Sequence, residues 1–134
     1  VTLFDFYGNY DVLDWTLTYK HARGIVSKFK DHNAVLAWDL KNEPNLDFES
    51  RGKKNVFAWL ENLLILIKTI DTNHPVTVCW SDIESATILS DKLDYVSFHY
   101  YEDLEDFETE YQKLKKPSCK SRCSLSLSVS KFWA

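Results

Sequence analysis

The sequence predicts an α/β fold in which helices cover a parallel sheet. Short apolar runs rich in Val, Phe, Tyr and Trp alternate with longer stretches of helical periodicity along residues 1–116. The runs are almost continuously apolar, which is typical of strands that are buried on both faces. Gly occurs only at positions 8, 24 and 52, so no glycine-rich phosphate turn follows any run. That absence argues against an open nucleotide-binding sheet.

Four runs are predicted as strands because each is short, apolar and followed by polar or turn-forming residues. They cover residues 1–7, 34–40, 76–80 and 95–99. Three of the intervening stretches are predicted as helices because their apolar residues recur at steps of three and four. These residues are Trp15, Tyr19, Ala22, Val26 and Phe29, then Val56, Leu60, Leu63, Ile67 and Ile70, and finally Leu104, Phe107, Tyr111 and Leu114. A shorter fourth helix is predicted over residues 82–90.

This alternation leaves two architectures open, a doubly wound open sheet and a (β/α)₈ barrel. A four-stranded open sheet would be complete, but its edge strands would have to be short or guarded. A full barrel needs about 250 residues, so the barrel requires units that this chain lacks. The sequence contains no Met, even at position 1. We therefore expect a fragment that has lost its amino-terminal part.

The composition changes near residue 117. All twenty acidic residues lie at or before Glu110, whereas residues 117–134 hold three basic residues, six Ser and two Cys. We predict that residues 1–116 form the folded unit and that residues 117–134 are a Ser-rich tail foreign to it. A Ser-rich linker would have a similar composition.

Charge and cysteine content narrow the classes of partner. The formal net charge is −4, which argues against a protein that binds nucleic-acid phosphates. No apolar run is long enough to span a membrane and no signal-peptide pattern opens the sequence, so no membrane partner is predicted and the localisation stays open. Cys79, Cys119 and Cys123 lack metal-site spacing and indicate no compartment.

The most informative polar cluster is Asn42-Glu43-Pro44, which follows the second predicted strand. Ligands bind at the carboxyl ends of the strands in both candidate folds. Because Pro44 disfavours the α conformation of the residue before it, we expect Glu43 to be extended. If it follows the strand's alternation, it shares a face with Lys41, Asp39 and Ala37, while Asn42 faces the other way or turns with the loop. A carboxyl group at the rim of an aromatic-lined cleft has a raised pKa and can act as a general acid. The alternative is a polar loop between strand and helix.

Four further residues are candidates for ligand contact. His99 and Tyr101 alternate at the end of the fourth predicted strand, so both lie on one face, where they could hydrogen-bond a polyhydroxylated ligand. Trp80 and Tyr7 are candidate platforms for a sugar ring, with core packing as the alternative. The alternative for His99 and Tyr101 is structural, since a histidine at a strand end is often a satisfied core residue and Tyr is common in strands. No second His lies near it, so no metal site is predicted, and no cofactor either.

Two segments carry a family resemblance. AVLAWDLKNEPN, residues 34–45, resembles the fourth strand of retaining glycoside hydrolases of family 5, the (β/α)₈-barrel clan that includes cellulases and mannanases. DYVSFHYY, residues 94–101, resembles their sixth strand with its His-x-Tyr. The resemblance covers residues 1–116 as strands three to six. It implies a partial TIM barrel of about four consecutive βα units.

The resemblance also implies roles for single residues. Glu43 would be the acid/base, Asn42 would bond the sugar 2-hydroxyl, and His99 and Tyr101 would line the subsite around it. The second carboxylate of such enzymes, the nucleophile, lies about 5 to 5.5 Å from the first and comes from the end of the seventh strand. No Asp or Glu follows Glu110, so this carboxylate has no candidate. The first strand, LFDFYGNYD, lacks the His of many family members, which leaves the glycan open.

The expected function is hydrolysis of O-glycosyl bonds in a β-linked polysaccharide or oligosaccharide by a retaining two-carboxylate mechanism. This chain is expected to be truncated and inactive because it lacks the nucleophile. A non-catalytic carbohydrate-binding or interaction module is the alternative. A half barrel could also fail to fold alone, since open sheet edges leave apolar surface in water, or be completed by a second copy. The oligomeric state is not predicted.

Overall fold

The computed structural model describes residues 1–5, 10 and 15–114 of the 134-residue chain. These residues form three strands, which are β1 (Trp38–Asn42), β2 (Val76–Trp80) and β3 (Ser97–Phe98). They also form four α-helices, which are α1 (Trp15–Phe29), α2 (Phe48–Arg51), α3 (Lys53–Ile70) and α4 (Leu104–Leu114). The strands make one parallel sheet in the order β1-β2-β3. The chain thus forms part of a (β/α)₈ barrel, as predicted.

The strands differ from the sequence prediction mainly at their ends. β2 coincides with the predicted run 76–80. β1 begins at Trp38 rather than at residue 34. The residues before it form a turn in which the Val35 amide donates to the His32 carbonyl, and the first amide that bonds the neighbouring segment is that of Trp38, which donates to the Pro75 carbonyl. β3 keeps two residues of the predicted run 95–99.

The predicted first strand, 1–7, is described as far as residue 5. Its backbone runs parallel to β1 with a single bridge between Thr2 and Asp39. The Leu3 amide donates to the Asp39 carbonyl at 2.8 Å, and the Asp39 amide donates to the Val1 carbonyl at 2.9 Å. The start of the chain therefore lies beside β1 as a fourth, short parallel segment.

The three predicted long helices are confirmed as α1, α3 and α4. The predicted helix over 82–90 is wrong, because the chain forms only a 3₁₀ turn at Ser85–Thr87. Leu89 has φ of 57°, a left-handed conformation that ends a right-handed helix. The sequence did not predict α2 or the 3₁₀ helix at Pro44–Asp47. No helix of the described segments is long and apolar enough to cross a membrane.

The hydrophobic core lies between one face of the sheet and helices α1 and α3. Every residue of β2 is buried, and the core-facing strand residues have large apolar side chains. Each such side chain stabilises the fold by about 1.5–3 kcal/mol on full burial. The main contributors are Trp38, Leu40, Val76, Val78, Trp80 and Phe98 from the sheet, with Ala22 and Val26 from α1 and Val56, Leu60, Leu63 and Ile67 from α3.

The other face of the sheet is polar. Cα pairing places Asp39 beside Thr77, and Cys79 beside both Asn42 and Ser97. Paired residues of neighbouring strands point to the same side, so these five residues share a face. In a closed barrel this is the face that surrounds the barrel axis.

A bulge in β1 determines which residues reach the polar face. Asp39 pairs with Thr77, but Asn42 pairs with Cys79, so β1 contains one extra residue between the two pairs. The extra residue reverses the alternation of side chains. The prediction that Lys41 shares a face with Asp39 is therefore wrong. Lys41 is 2% exposed and faces the helix side, where its ammonium lies 3.5 Å from the Asp47 carboxylate.

Asp71 links the end of α3 to the beginning of the sheet. Its carboxylate accepts hydrogen bonds from the Trp38 indole at 2.8 Å and from the backbone amides of Asn73 and His74 at 2.9 and 3.1 Å. The His74 ring nitrogen Nδ1 lies 2.7 Å from the same carboxylate. Burial raises the pKa of Asp71, but the lowering by these four contacts is larger. The pKa therefore falls from 3.8 to about 2.

Asp71 should make the stability of the fold sensitive to acid. Because its folded pKa lies below the unfolded value, its contribution is fully present above about pH 4 and is lost as the pH falls towards about 2, at a cost of about 2 kcal/mol. We expect Asp71→Asn to flatten the decrease in unfolding free energy over this range, as measured by urea unfolding. The exposed Asp31→Asn is the matched control. An unchanged slope in Asp71→Asn would contradict the assignment.

Candidate active site

Glu43 follows β1 in a left-handed conformation, with φ 46° and ψ 49°. The prediction of an extended Glu43 is wrong. Pro44 does disfavour the right-handed α conformation at Glu43, but it also begins a 3₁₀ helix at once, so the chain turns. A left-handed residue with a Cβ costs about 1–3 kcal/mol. Two hydrogen bonds hold it, from the Glu43 amide to the Cys79 carbonyl at 2.7 Å and from the Leu46 amide to the Glu43 carbonyl at 3.2 Å.

This turn brings the Glu43 carboxylate to the end of β3. Its oxygen Oε1 lies 2.5 Å from Nδ1 of His99 and accepts a hydrogen bond from the Tyr101 hydroxyl at 2.9 Å. The side chains of Glu43 and His99 are 19% and 17% exposed, whereas Tyr101 is 62% exposed. The structure therefore brings together three of the site residues that the sequence predicted.

Asn42 lies on the polar face of the sheet, in register with Cys79. Its backbone amide donates to the Phe4 carbonyl at 2.9 Å. Its half-buried side chain forms no hydrogen bond with any residue that the structure describes. The predicted contact with a sugar hydroxyl stays a prediction.

Trp80 does not join the cluster. Its side chain is fully buried, it lies on the apolar face of β2, and its ring packs against Phe48 with centroids 6.4 Å apart. This is the core packing that was the alternative to sugar stacking. Tyr7, the other candidate platform, lies outside the described residues.

Cys79 is a site residue that the sequence did not indicate. Its Sγ lies 3.3 Å from Nε2 of His99. Burial raises the pKa of the thiol to about 11 despite a hydrogen bond from Ser97, and the negative charges of Asp39 and Glu43 act in the same direction as burial. The thiol is thus protonated at neutral pH. Its position one residue before the end of β2, opposite in face to Trp80, was the available signal.

A second network joins the loops that follow β1 and β2. The Asn45 side-chain amide donates to the Ser81 hydroxyl at 2.6 Å and to the Asp82 carboxylate at 2.8 Å, and it accepts from the Ser81 amide at 3.1 Å. Asp82 also accepts from the Ser85 amide at 2.7 Å. Burial raises the pKa of Asp82, but these hydrogen bonds outweigh it and lower the pKa overall. The network fixes the 3₁₀ helix that begins immediately after Glu43.

A cleft of about 480 Å³ opens beside His99 and Tyr101. It lies between the loop after β2, the segment after β3 and helix α4, and its size is typical of ligand pockets. Five of its lining residues are acidic, which disfavours anionic ligands. They are Asp82, Glu84, Glu102, Asp106 and Glu110. Among residues 1–5, 10 and 15–114, no group of three His, Cys, Asp or Glu could hold a metal ion.

Several curated proteins are similar to parts of this chain. Mannan endo-1,4-beta-mannosidase 5 of Solanum lycopersicum is 30% identical over 79 residues, which is 52% of this chain and 18% of that protein. Mannan endo-1,4-beta-mannosidase 2 of Oryza sativa subsp. japonica is 30% identical over 74 residues, 55% of this chain and 16% of that protein. Mannan endo-1,4-beta-mannosidase F of Aspergillus clavatus is 33% identical over 57 residues, which is 42% of this chain and 13% of that protein. This chain therefore spans less than a fifth of these relatives' lengths.

A family model matches most of the sequence. The model, described as cellulase (glycosyl hydrolase family 5), matches residues 7–130. The match runs into the segment 117–134, which lies outside the described residues, and the prediction that this segment is foreign to the fold stays a prediction. The match includes β1, β2 and β3. It also includes Glu43 and the two residues that contact its carboxylate, His99 and Tyr101. The chain therefore belongs to glycosyl hydrolase family 5.

Proposed function

We propose that Glu43 is the general acid/base of a retaining β-glycosidase site that acts on β-1,4-linked mannan. The observation that carries the proposal is the convergence of His99 Nδ1 and the Tyr101 hydroxyl on one oxygen of Glu43 at the carboxyl ends of parallel strands. Membership of glycosyl hydrolase family 5 supports the glycosidase chemistry. The names of the similar proteins support mannan as the glycan.

The geometry suits proton transfer. His99 and Tyr101 both contact Oε1, so the orientation of the carboxyl group is fixed. Its second oxygen, Oε2, has no hydrogen-bond partner within the described part of the chain and is available to a glycosidic oxygen. A positioned acid/base of this kind contributes about 10²–10⁴ in rate.

We further propose that the 134-residue chain lacks a nucleophile. The retaining mechanism needs a second carboxylate about 5 to 5.5 Å from the first. The resemblance to family 5 implies that this carboxylate comes from the end of the seventh strand, and no Asp or Glu follows Glu110. Asp39 is the acidic residue on the polar face of β1. Both of its oxygens already accept hydrogen bonds, from the Cys79 amide at 3.0 Å and from the Thr2 hydroxyl at 2.8 Å. Asp39 is therefore a poor substitute.

A site with an acid/base and no nucleophile should transfer sugars rather than hydrolyse mannan. With α-mannobiosyl fluoride as donor and mannobiose as acceptor, an acceptor hydroxyl attacks C1, the C–F bond breaks, fluoride leaves, and Glu43 takes the hydroxyl proton. We expect the purified chain to form β-1,4-linked mannotetraose, detected by mass spectrometry and fluoride release. We also expect no new reducing ends from β-mannan.

The outcomes separate the candidate functions. Hydrolysis of mannan by the purified chain would contradict the absence of a nucleophile. Binding of mannohexaose without any transfer would favour a non-catalytic carbohydrate-binding module. Transfer to mannobiose would support the glycosidase assignment and leave the acid/base role to be tested by substitution of Glu43.

A further inference from the structure

We propose that the Cys79 thiol is a positioning group that keeps the proton of the His99 ring on Nδ1, so that the transferable proton of Glu43 is carried on Oε2. The inference rests on the proposed role of Glu43 as acid/base. It adds a residue that does not touch the substrate but determines which oxygen of the acid delivers the proton.

The imidazole of His99 is contacted at both nitrogens. Nε2 lies 3.3 Å from the Cys79 sulfur, and Nδ1 lies 2.5 Å from Oε1 of Glu43 and 3.1 Å from the Tyr101 hydroxyl. A neutral imidazole has one N–H donor and one acceptor nitrogen. In one arrangement the thiol donates to Nε2 and Nδ1–H donates to Glu43. In the other, a protonated Glu43 donates to Nδ1 and Nε2–H donates to the sulfur.

When Glu43 is ionised, its charge alone requires the Nδ1–H form, because a lone pair at Nδ1 would face a carboxylate. The two arrangements compete only when Glu43 is protonated, which is the state that must donate to the glycosidic oxygen. The thiol then becomes decisive, since a thiol that donates to Nε2 leaves the ring proton on Nδ1. Burial keeps this thiol protonated, because it raises the pKa of Cys79.

Tyr101 is compatible with the same arrangement. Its hydroxyl lies 2.9 Å from Oε1 of Glu43 and 3.1 Å from Nδ1 of His99. Because Nδ1–H leaves no lone pair on that nitrogen, the hydroxyl then donates to Oε1, which accepts from both groups. An oxygen that accepts two hydrogen bonds is the carbonyl oxygen of a neutral carboxyl group, so the O–H is on Oε2. With the opposite tautomer the proton would lie on Oε1 and would be donated to Nδ1 of the imidazole instead of to the glycosidic oxygen. Cys79 thereby keeps the acid available for transfer.

The groups that face this cluster come from three strands. Ser97 of β3 donates a hydrogen bond to the Cys79 sulfur, and Asp39 of β1 raises the pKa of the thiol through its charge. The Ser97 hydroxyl, the Cys79 thiol, the His99 ring and the Glu43 carboxyl group form one hydrogen-bonded chain. In the proposed arrangement each member donates to the next, up to Oε1.

The test is the tautomer of His99, read from ¹⁵N chemical shifts of histidine-labelled protein. Glu43→Gln serves as a neutral mimic of the protonated acid, because the Gln amide offers both an acceptor and a donor to Nδ1. We expect His99 in Glu43→Gln to be the Nδ1–H tautomer. In Cys79→Ala/Glu43→Gln we expect the Nε2–H form to become the major one, since this is the form that unconstrained histidine side chains prefer. The conservative Cys79→Ser/Glu43→Gln retains a donor and should restore Nδ1–H.

His74 is the internal reference, because it contacts Asp71 at the opposite end of β2 and its signals should stay constant in all three variants. An Nε2–H tautomer in Glu43→Gln, or an unchanged tautomer in Cys79→Ala/Glu43→Gln with unshifted His74 signals, would overturn the inference. The predicted tautomers together with no mannosyl transfer by the unmodified chain would reject the proposed function instead, and the hydrogen-bond assignment would stand.

Discussion

Glu43→Gln is expected to lower the rate of mannosyl transfer from α-mannobiosyl fluoride to mannobiose by about 10²–10⁴, the contribution of a positioned general acid/base. Gln has the shape of Glu and keeps an acceptor oxygen for His99 and Tyr101, which contact Oε1 at 2.5 and 2.9 Å. It cannot take the proton of the attacking hydroxyl. The rate is measured as fluoride release that depends on the acceptor.

Azide provides the matched control reaction, because it carries no proton that a base must remove. Its attack at C1 of the same donor expels fluoride and forms β-mannobiosyl azide. The Glu43→Gln variant should therefore form this product at the rate of the unmodified chain. Survival of sugar transfer in the variant would remove Glu43 from the mechanism. Equal loss of both reactions would contradict a role that is confined to proton transfer.

The convergence of Glu43, His99 and Tyr101 could be predicted because it depends on long, regular features of the sequence. Parallel strands present their carboxyl ends at one edge of a sheet, and the side-chain alternation of a strand places His99 and Tyr101 together. Glu43 and His99 are 56 residues apart, yet each directly follows a predicted strand. The predicted order of the strands and the positions of their ends were therefore sufficient to predict that Glu43 and His99 lie close together.

The orientation of Glu43 could not be predicted, because it depends on two local irregularities. The bulge in β1 shifts the register by one residue between Asp39 and Asn42, and nothing in the sequence of β1 marks it. The left-handed conformation of Glu43 then turns its side chain back towards His99. Local steric rules for the residue before proline favoured an extended Glu43, and tertiary hydrogen bonds overrode them.

The contrast between Trp80 and Cys79 shows a second limit of sequence reasoning. The alternation of side chains along a strand predicts that neighbouring residues of β2 point to opposite faces. It does not predict which of the two faces meets a ligand. Helices α1 and α3 pack on the Trp80 side, which leaves Cys79 beside His99. Trp80, the aromatic residue at the strand end, was predicted as a candidate sugar platform. The small buried thiol of Cys79 next to it makes the contact with His99.

Asp47→Ala is expected to lower the free energy of unfolding by about 3–5 kcal/mol, the usual cost of leaving one member of a buried ion pair alone. The side chains of Lys41 and Asp47 are 3% and 1% exposed. The carboxylate of Asp47 is 3.5 Å from the Lys41 ammonium and also accepts a hydrogen bond from the Tyr10 hydroxyl. The variant leaves both donors buried without this acceptor. Urea unfolding measures the loss.

The double variant Lys41→Met/Asp47→Asn separates the cost of an unpaired charge from the cost of lost packing. It removes both charges and keeps an acceptor for Tyr10. Burial, the largest cause of the raised pKa of Tyr10, is retained, so this hydroxyl remains a donor. Replacing a buried ion pair by neutral groups is often close to neutral in stability, so we expect the double variant to recover most of the loss. Equal destabilisation of the single and double variants would show that packing, not charge, makes Asp47 important.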